Sequence, residues 1–281
     1  MAVIKIKQTL RNSIIKISIV ILAVLLNACK TEKSNRKEND SSTIENQYLG
    51  QKPPGLIPEL FAPDIIQTKH REAEAAYSPD LKEFYFRRRG GKYKNNTLVV
   101  IQYKDNDWVE SVVPPRAGEP FISPDGKTLY LGKKYRERTK VGWSEVKSLG
   151  SMFDREDWGI MRLTTSIKGT YVFDDYKSND VIRISMVKDG IRQEPKLLDK
   201  EINTGKWTAH PFIAPDESYL IWDSERDRGY GNSDLYISFR EKDGSWGPAI
   251  NLGDKINTEF SEAYGSMSPD GKYFFFHRGY G

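Results

Sequence analysis

One short pattern recurs five times along the chain: a strand-like run ends in a Ser-Pro-Asp type turn and restarts in an aromatic run. The copies are YSPDLKEFYF (77–86), ISPDGKTLYL (122–131), TSIKGTYVF (165–173), IAPDESYLIW (213–222) and MSPDGKYFFF (267–276). With Ser78, Ser123, Ser166, Ala214 and Ser268 aligned, successive copies lie 45, 43, 48 and 54 residues apart. Repeats of about 40 to 50 residues with strand-like runs are typical of four-stranded propeller blades. The spacing therefore predicts an all-β propeller.

The segment before the first repeat predicts how such a ring closes. IPELFAPDII (57–66) has the outer-strand signature that also ends later units, and TKHREAEAAYSPD (68–80) aligns without a gap on TEFSEAYGSMSPD (258–270). We therefore expect residues 58–66 to supply the outer strand of the last blade, which removes a free sheet edge. The count is five blades. The last unit matches unit four only as far as its second strand, so we expect that blade to lack its third strand, through a clipped C-terminus or a defective blade.

The first 28 residues read as a secretory leader. Four basic residues and no acidic ones precede or enter an apolar run at 17–26, which is shorter than the roughly 20 apolar residues of a membrane span. Leu26-Asn27-Ala28 then precedes Cys29, the only cysteine. This spacing predicts a lipoprotein in which Cys29 is acylated. The alternatives are ordinary cleavage that leaves a free thiol, or an uncleaved anchor. Residues 29–47 are polar and predict a flexible tether, and residues 48–281 form the propeller domain.

Charge argues against nucleic acid as a partner. The formal net charge of +4 falls to 0 when residues 1–28 are removed, so the processed domain has no net positive field. The cluster Arg87-Arg88-Arg89 remains as a local basic patch, and we expect it to be a solvated loop.

One repeat position gives the best candidate site. If the inner strands line a central channel, the residues four places before the aligned Ser or Ala form a ring around it. That ring is polar in every unit: Glu74, Glu119, Arg162, His210 and Tyr264. Two residues further back, two more acids are expected on the same side: Glu72 and Glu262. Such a ring can bind a sugar or a peptide. Alternatively, these groups satisfy one another and nearby backbone amides.

No motif identifies a catalytic mechanism. Carboxylates of the ring are candidates for glycoside hydrolysis by position only. The chain has no Gly-x-Ser-x-Gly elbow, and its three histidines are dispersed, so we expect neither a serine hydrolase nor a zinc site. Acids on alternate residues at Asp223, Glu225 and Asp227 resemble a calcium loop weakly, and a solvated loop is favoured. No metal and no cofactor are expected.

The repeats resemble the Pro-Asp variety of WD40-like repeat found in TolB-type propellers and in exported lipoproteins. The resemblance covers roughly residues 48–281, and unit three departs from it because Ile167-Lys168 replaces Pro-Asp. TolB-type propellers have six blades, which leaves six as the alternative count. The resemblance implies fold rather than activity. We expect a monomeric, lipid-anchored binding or scaffold module of the cell envelope, in the outer membrane and facing the periplasm or the cell exterior. Its partner would be a protein or a glycan; the alternative is a carbohydrate-active enzyme.

Overall fold

The computed structural model describes residues 1–5, 47–52, 54–63, 65–114 and 118–279. Within these ranges the chain is built from β-strands, with one short 3₁₀ segment at Gln47–Gly50 and no α-helix. No helix among the described residues has the length and apolar character that a membrane crossing requires. Cys29, the tether apart from Gln47, and most of the predicted leader lie outside the described residues.

The strands follow the repeat units along the chain. Two short strands come first: β1 (Ala2–Lys5) and β2 (Glu59–Leu60). Unit one has β3 (Arg71–Tyr77), β4 (Glu83–Gly90), β5 (Tyr93–Lys104) and β6 (Asp107–Val112). Unit two has β7 (Pro120–Ile122), β8 (Thr128–Leu131), β9 (Lys134–Thr139), β10 (Gly142–Trp143) and β11 (Lys147–Ser148).

The later units continue this order. Unit three has β12 (Leu163–Thr165), β13 (Tyr171–Asp175), β14 (Val181–Ser185), β15 (Val187–Lys188), β16 (Ile191–Arg192) and β17 (Lys196–Leu197). Unit four has β18 (Lys206–Ile213), β19 (Tyr219–Glu225), β20 (Asp234–Phe239) and β21 (Ile250–Asn251). The last unit has β22 (Ser261–Met267) and β23 (Tyr273–Gly279).

The innermost strands form a closed ring. Strand β3 contacts β7, β7 contacts β12, β12 contacts β18, β18 contacts β22, and β22 returns to β3. Each of these strands is the first of an antiparallel sheet that extends outward through hairpins. Sheets arranged radially around a common axis define a propeller arrangement. The all-β propeller prediction is therefore confirmed.

The count of regular blades differs from the expectation of five. Four sheets have four strands each: β3 to β6, β12-β13-β14-β17, β18 to β21, and the sheet of the last unit. The sheet of unit two instead has five short strands, because both β10 and β11 pair with β9. The compressed segment GKKYRERTKVG (132–142) contains the third strand β9, and the outer position is divided between β10 and β11.

The last blade is closed by the N-terminal part of the chain. Its strand order is β2-β1-β23-β22, so Glu59–Leu60 takes the outer position within the predicted segment 58–66. The expectation that this blade lacks its third strand is wrong for this structure. Strand β1 fills that position and pairs with β23 from Ala2↔Phe276 to Lys5↔Tyr273. An unpaired strand edge needs backbone partners, and a short strand from anywhere in the chain can supply them.

The Ser-Pro-Asp turns are held by one repeated set of hydrogen bonds. Ser78 Oγ donates to Asp80 Oδ1 at 2.6 Å and accepts the backbone N–H of Glu83 at 2.9 Å. The turns at Ser123 and Ser268 repeat both bonds. Each turn thus satisfies its own polar groups at the start of the second strand.

Unit three obtains the missing carboxylate from its neighbour. Lys168 stands where the other units have Asp, and Ser166 Oγ donates instead to Glu217 Oε1 of unit four at 2.7 Å. Lys168 Nζ lies 3.4 Å from Glu217 Oε2. The departure from Pro-Asp therefore links two units, whereas the serine hydroxyls of Ser78, Ser123 and Ser268 donate within their own turns.

Aromatic side chains fill the interfaces between blades. Phe61, Phe84 and Phe275 are fully buried in one cluster that joins the first unit to the last. The tryptophans of the outer-strand signature contact such clusters as well: Trp108, Trp143 and Trp246. Burial of large aromatic side chains contributes most of the apolar stabilisation of such sheets.

The expectation that Arg87-Arg88-Arg89 forms a solvated loop is wrong, because the triplet lies in a strand. Arg87 and Arg88 lie within β4, where Arg87 Nε is 3.1 Å from Glu74 Oε2 and Arg88 Nε is 3.1 Å from Glu72 Oε1. Both arginines therefore contact buried acids, and of the three only Arg89 is exposed.

Candidate functional site

The polar ring position is built on bulged inner strands. In β3, β18 and β22 the pairing register shifts at this position, and Glu74, His210 and Tyr264 have φ values of 70°, 48° and 60°. A β-bulge inserts one extra residue and redirects its side chain. A left-handed backbone is unfavourable for these residue types, so surrounding contacts must hold it.

Aspartates on the second strands provide those contacts. Asp174 of unit three accepts the backbone N–H of His210 in unit four at 3.2 Å. Asp223 of unit four accepts the backbone N–H of Tyr264 in the last unit at 3.1 Å. The bulges at His210 and Tyr264 are thus each fastened to the preceding blade by a buried carboxylate. The two aspartates couple the ring position to the closure of the propeller.

The structure brings the five ring residues together in one cluster. Glu119 lies between two cations: its Oε2 is 3.3 Å from Arg162 Nε and its Oε1 is 3.5 Å from His210 Nε2. The His210 and Tyr264 rings are 4.1 Å apart between centroids. Arg162 lies 5.7 Å from the centre of the Tyr264 ring. Glu74 contacts Arg87 and also interacts electrostatically with Arg162 and His210.

His210 has a carboxylate on both sides. Its Nδ1 lies 3.0 Å from both Oδ1 and Oδ2 of Asp223, opposite the Glu119 contact at Nε2. Burial alone would lower the pKa of His210, but Asp223 and Glu119 stabilise the imidazolium and raise that pKa to about 9. The His210 imidazole is therefore charged at neutral pH.

The acids of the cluster hold protons more tightly than usual. Burial raises the pKa of the Glu119 carboxyl to about 8, although the charge of His210 opposes this change. Burial also raises the pKa of Glu74, against the attraction of Arg87, and the pKa of Asp174. Desolvation disfavours a carboxylate, and only close cations or hydrogen bonds compensate for it.

Among the described residues, Glu72 and Glu262 do not contact the cluster and instead have matching partners of their own. Both are buried, and each accepts a threonine hydroxyl and an arginine Nε: Thr68 and Arg88 for Glu72, Thr258 and Arg278 for Glu262. The bulge that follows each of them redirects the next part of the strand, so period two does not continue from these acids to the ring position. Their repeated pairing is typical of a structural role.

Sequence reasoning missed the second-strand residues that complete the cluster. Arg87 and Asp223 stand nine places after the aligned Ser or Ala, and Asp174 stands eight places after Ser166. Gly132 occupies the corresponding place in unit two, where φ is 65° and a Cβ would lie 2.7 Å from the Ile160 carbonyl oxygen. The same repeat alignment that identified the ring could have identified this second position.

The acids of the cluster have little access to solvent. Glu74 and Glu119 are each 3% exposed. Arg71 and His277 line a depression of about 400 Å³ beside the cluster, and Arg71 Nη2 reaches Tyr264 Oη at 3.5 Å. Among the described residues, no group of three or more His, Cys, Asp and Glu side chains is arranged to hold a metal ion.

The chain is similar to known structures only at low sequence identity. No protein-family model matches the chain, and no curated protein matches it significantly. A TolB structure from Acinetobacter baumannii aligns at 13% identity with a TM-score of 0.45, over 82% of this chain and 57% of that chain. A thermostable family-43 glycoside hydrolase aligns at 15% identity with a TM-score of 0.45, over 76% of this chain and 86% of that chain. An α-L-arabinofuranosidase from Lactobacillus brevis aligns at 12% identity with a TM-score of 0.44, over 74% of this chain and 84% of that chain.

Proposed function

We propose that this protein is a non-enzymatic binding module of the cell envelope, anchored by a lipid on Cys29. One observation carries the proposal: the ring carboxylates are already engaged, Glu74 by Arg87 and Glu119 by Arg162 and His210. A glycosidase holds its substrate between two accessible acids. Buried acids held between neighbouring polar side chains instead stabilise the packing of the blades, and the loops and channel mouths of a rigid disc remain free to bind a partner.

We also propose that the propeller has five blades and that the protein is a monomer. The irregular sheet of unit two lies between those of units one and three in the ring, so we count it as the fifth blade. The partner is a protein or a glycan of the envelope rather than a nucleic acid, and the outer membrane is the expected location, facing the periplasm or the exterior.

The anchor is tested by fractionation of cells that express the full chain. The parent protein is expected in the membrane fraction, and Cys29→Ser is expected in the soluble fraction. Ser41→Ala, a change in the same tether, is the control and should remain with the membranes. Unchanged membrane association of Cys29→Ser would contradict lipidation.

A glycoside hydrolase is the second candidate, and one observation favours it. Burial raises the pKa of the Glu119 carboxyl to about 8, which is the direction required of a general acid. The second carboxylate would be Glu74, which would have to leave its contact with Arg87.

Turnover distinguishes the two candidates. The parent protein, Glu74→Gln and Glu119→Gln are assayed against a panel of glycans, with the exposed Glu145→Gln as the control. Hydrolysis by the parent and by the control that is lost in Glu119→Gln would establish the enzyme and reject the binding module. Absence of turnover by the parent would reject the enzyme.

A further inference from the structure

The third strand of the last blade comes from a segment that the proposed lipidation would remove. Strand β1 lies between β23 and β2 and pairs antiparallel with both. Four of its residues pair with β23 and two pair with β2. Cleavage before Cys29 takes β1 away with the rest of residues 1–28. The processed chain then has a gap one strand wide in this sheet, bordered by two strands about 10 Å apart.

The outer side of this gap does not depend on β1 alone for its position. Gln51 Nε2 donates to the Leu60 carbonyl at 3.1 Å, and Gln51 Oε1 accepts the backbone N–H of Ala62 at 2.5 Å. Phe61 is 1% exposed, and its ring centre lies 5.0 Å from that of Phe275. The Phe61 side chain therefore anchors β2 to the interface between the last and first units. We expect both sides of the gap to stay in place when β1 leaves.

Both faces of the gap are apolar. Tyr273 and Phe275 of β23 belong to the aromatic cluster between the last and first units. Phe274 and Phe276 belong to the cluster that the last unit shares with unit four. Met1 packs in the first of these clusters and is only 6% exposed. Removal of residues 1–28 therefore uncovers apolar side chains as well as backbone groups of β23.

The third strands of other blades show what such a gap accepts. Strand β5 is buried at four consecutive residues, 98–101, and β20 is buried at 234–236 and at Ser238. These strands bury side chains on both faces, so the occupant needs a nearly continuous apolar run. The tether lacks such a run, because its one aliphatic residue is Ile44.

A strand edge beside apolar side chains binds extended peptides by strand addition, which pairs its backbone groups and covers its apolar surface. We propose that the gap between β23 and β2, once residues 1–28 are removed, binds an extended segment of a partner protein that has about five largely apolar residues. The segment runs antiparallel to β23, as β1 does. The inference rests on the proposed function, because lipidation of Cys29 requires that cleavage, and it names the chemistry of the partner.

The test uses residues 29–281 with Cys29→Ser, which is the processed chain without its lipid. The probe is a fluorescein-labelled peptide SDLYISFR, residues 233–240, which includes the third strand of unit four. Fluorescence anisotropy measures its binding to this shortened chain and to the full chain with the same substitution. We expect saturable binding to the shortened chain and about tenfold weaker binding to the full chain, where β1 occupies the gap.

Two changes locate the binding. Proline in place of Ile237 within the peptide prevents regular strand pairing and should abolish binding. Gln51→Ala in the protein removes both side-chain hydrogen bonds that hold β2 and should weaken binding roughly fivefold. Gln193→Ala is the matched control, because this amide of unit three also donates to a backbone carbonyl, and the affinity should not change. Addition of the peptide should slow hydrogen exchange in β23 and not in β19.

Four results would overturn the proposal. Two concern the peptide: an absence of saturable binding to the shortened chain, or equal binding of the proline peptide. The third is slow exchange in β23 before any peptide is added, which would show that the chain itself fills the gap. The fourth is a dimer of the shortened chain in size-exclusion chromatography that the peptide dissociates, which would show that a second copy fills it.

A second variant keeps the test decisive if the shortened chain does not fold, as judged by its thermal melt. Val3→Pro in the full chain disrupts β1 at a residue that pairs with both neighbours, and the same outcomes then apply. The proposed function fails by a different measurement. Membrane retention of Cys29→Ser would reject the lipid anchor whatever the peptide does, and an absence of peptide binding would reject only the strand-binding gap.

Discussion

Replacement of Glu119 by Gln should change how the stability of the protein depends on pH. The folded protein holds a proton on Glu119 up to a pKa of about 8, whereas the unfolded chain releases it near 4.5. The folded state therefore binds more protons between these values. The stabilisation from this proton is complete below pH 4.5 and is lost as the pH rises through 8.

The expected size follows from that interval. Each pH unit changes the free energy of unfolding by at most about 1.4 kcal/mol for one proton, hence on the order of 4 kcal/mol between pH 5 and 8. His210 acts in the same direction, because its folded pKa of about 9 lies above its ordinary value of 6.5. Gln mimics the protonated carboxyl and cannot ionise, so the Glu119→Gln variant should show only the His210 part of this decline and should lack the Glu119 part.

The assay is urea unfolding at half-unit steps from pH 5 to 8, followed by tryptophan fluorescence. The free energy of unfolding of Glu119→Gln minus that of the parent should rise with pH. Glu145→Gln removes an exposed carboxylate and serves as the control, with a difference that stays near zero. Parallel curves for Glu119→Gln and the parent would refute the buried, protonated carboxyl.

Three further changes test the closure of the ring. Asp223→Asn leaves the buried His210 imidazolium without its main partner and should cost about 3 to 5 kcal/mol in urea unfolding; a loss under 1 kcal/mol would show that the pair is not structural. Phe275→Ala empties the interface between the first and last units and should cost about 3 to 5 kcal/mol, with a matching fall in melting temperature. Deletion of residues 1–28 removes β1 from the edge of β23, so hydrogen exchange should accelerate in β23 and not in β19; equal protection of β23 before and after deletion would argue against this pairing.

The deletion matters because two conclusions about the N-terminus compete. The sequence predicts that residues 1–28 are removed before Cys29, whereas the structure uses Ala2–Lys5 as the third strand of the last blade. Leader cleavage would leave the backbone of β23 unpaired on that side. Exchange measurements on the full and shortened chains distinguish the two states of this edge.

The repeat alignment predicted much of the candidate site and misjudged part of it. It found the ring position because polar residues recur there in every unit, and the structure brings those five residues together. It grouped Glu72 and Glu262 with them because a regular strand alternates with period two. The bulges break that alternation, and a bulge depends on contacts with the neighbouring blade, which no single unit encodes.

The sequence by itself determined the all-β repeat, the turn chemistry and the use of an N-terminal strand to close the ring. These features depend on local patterns, namely strand propensity, short-range turn bonds and spacing, which each unit carries within about 50 residues. Only the tertiary structure decided which charges pair and that Asp174 and Asp223 clasp the next blade. Those features join residues from different blades, so they exist only once the ring has closed.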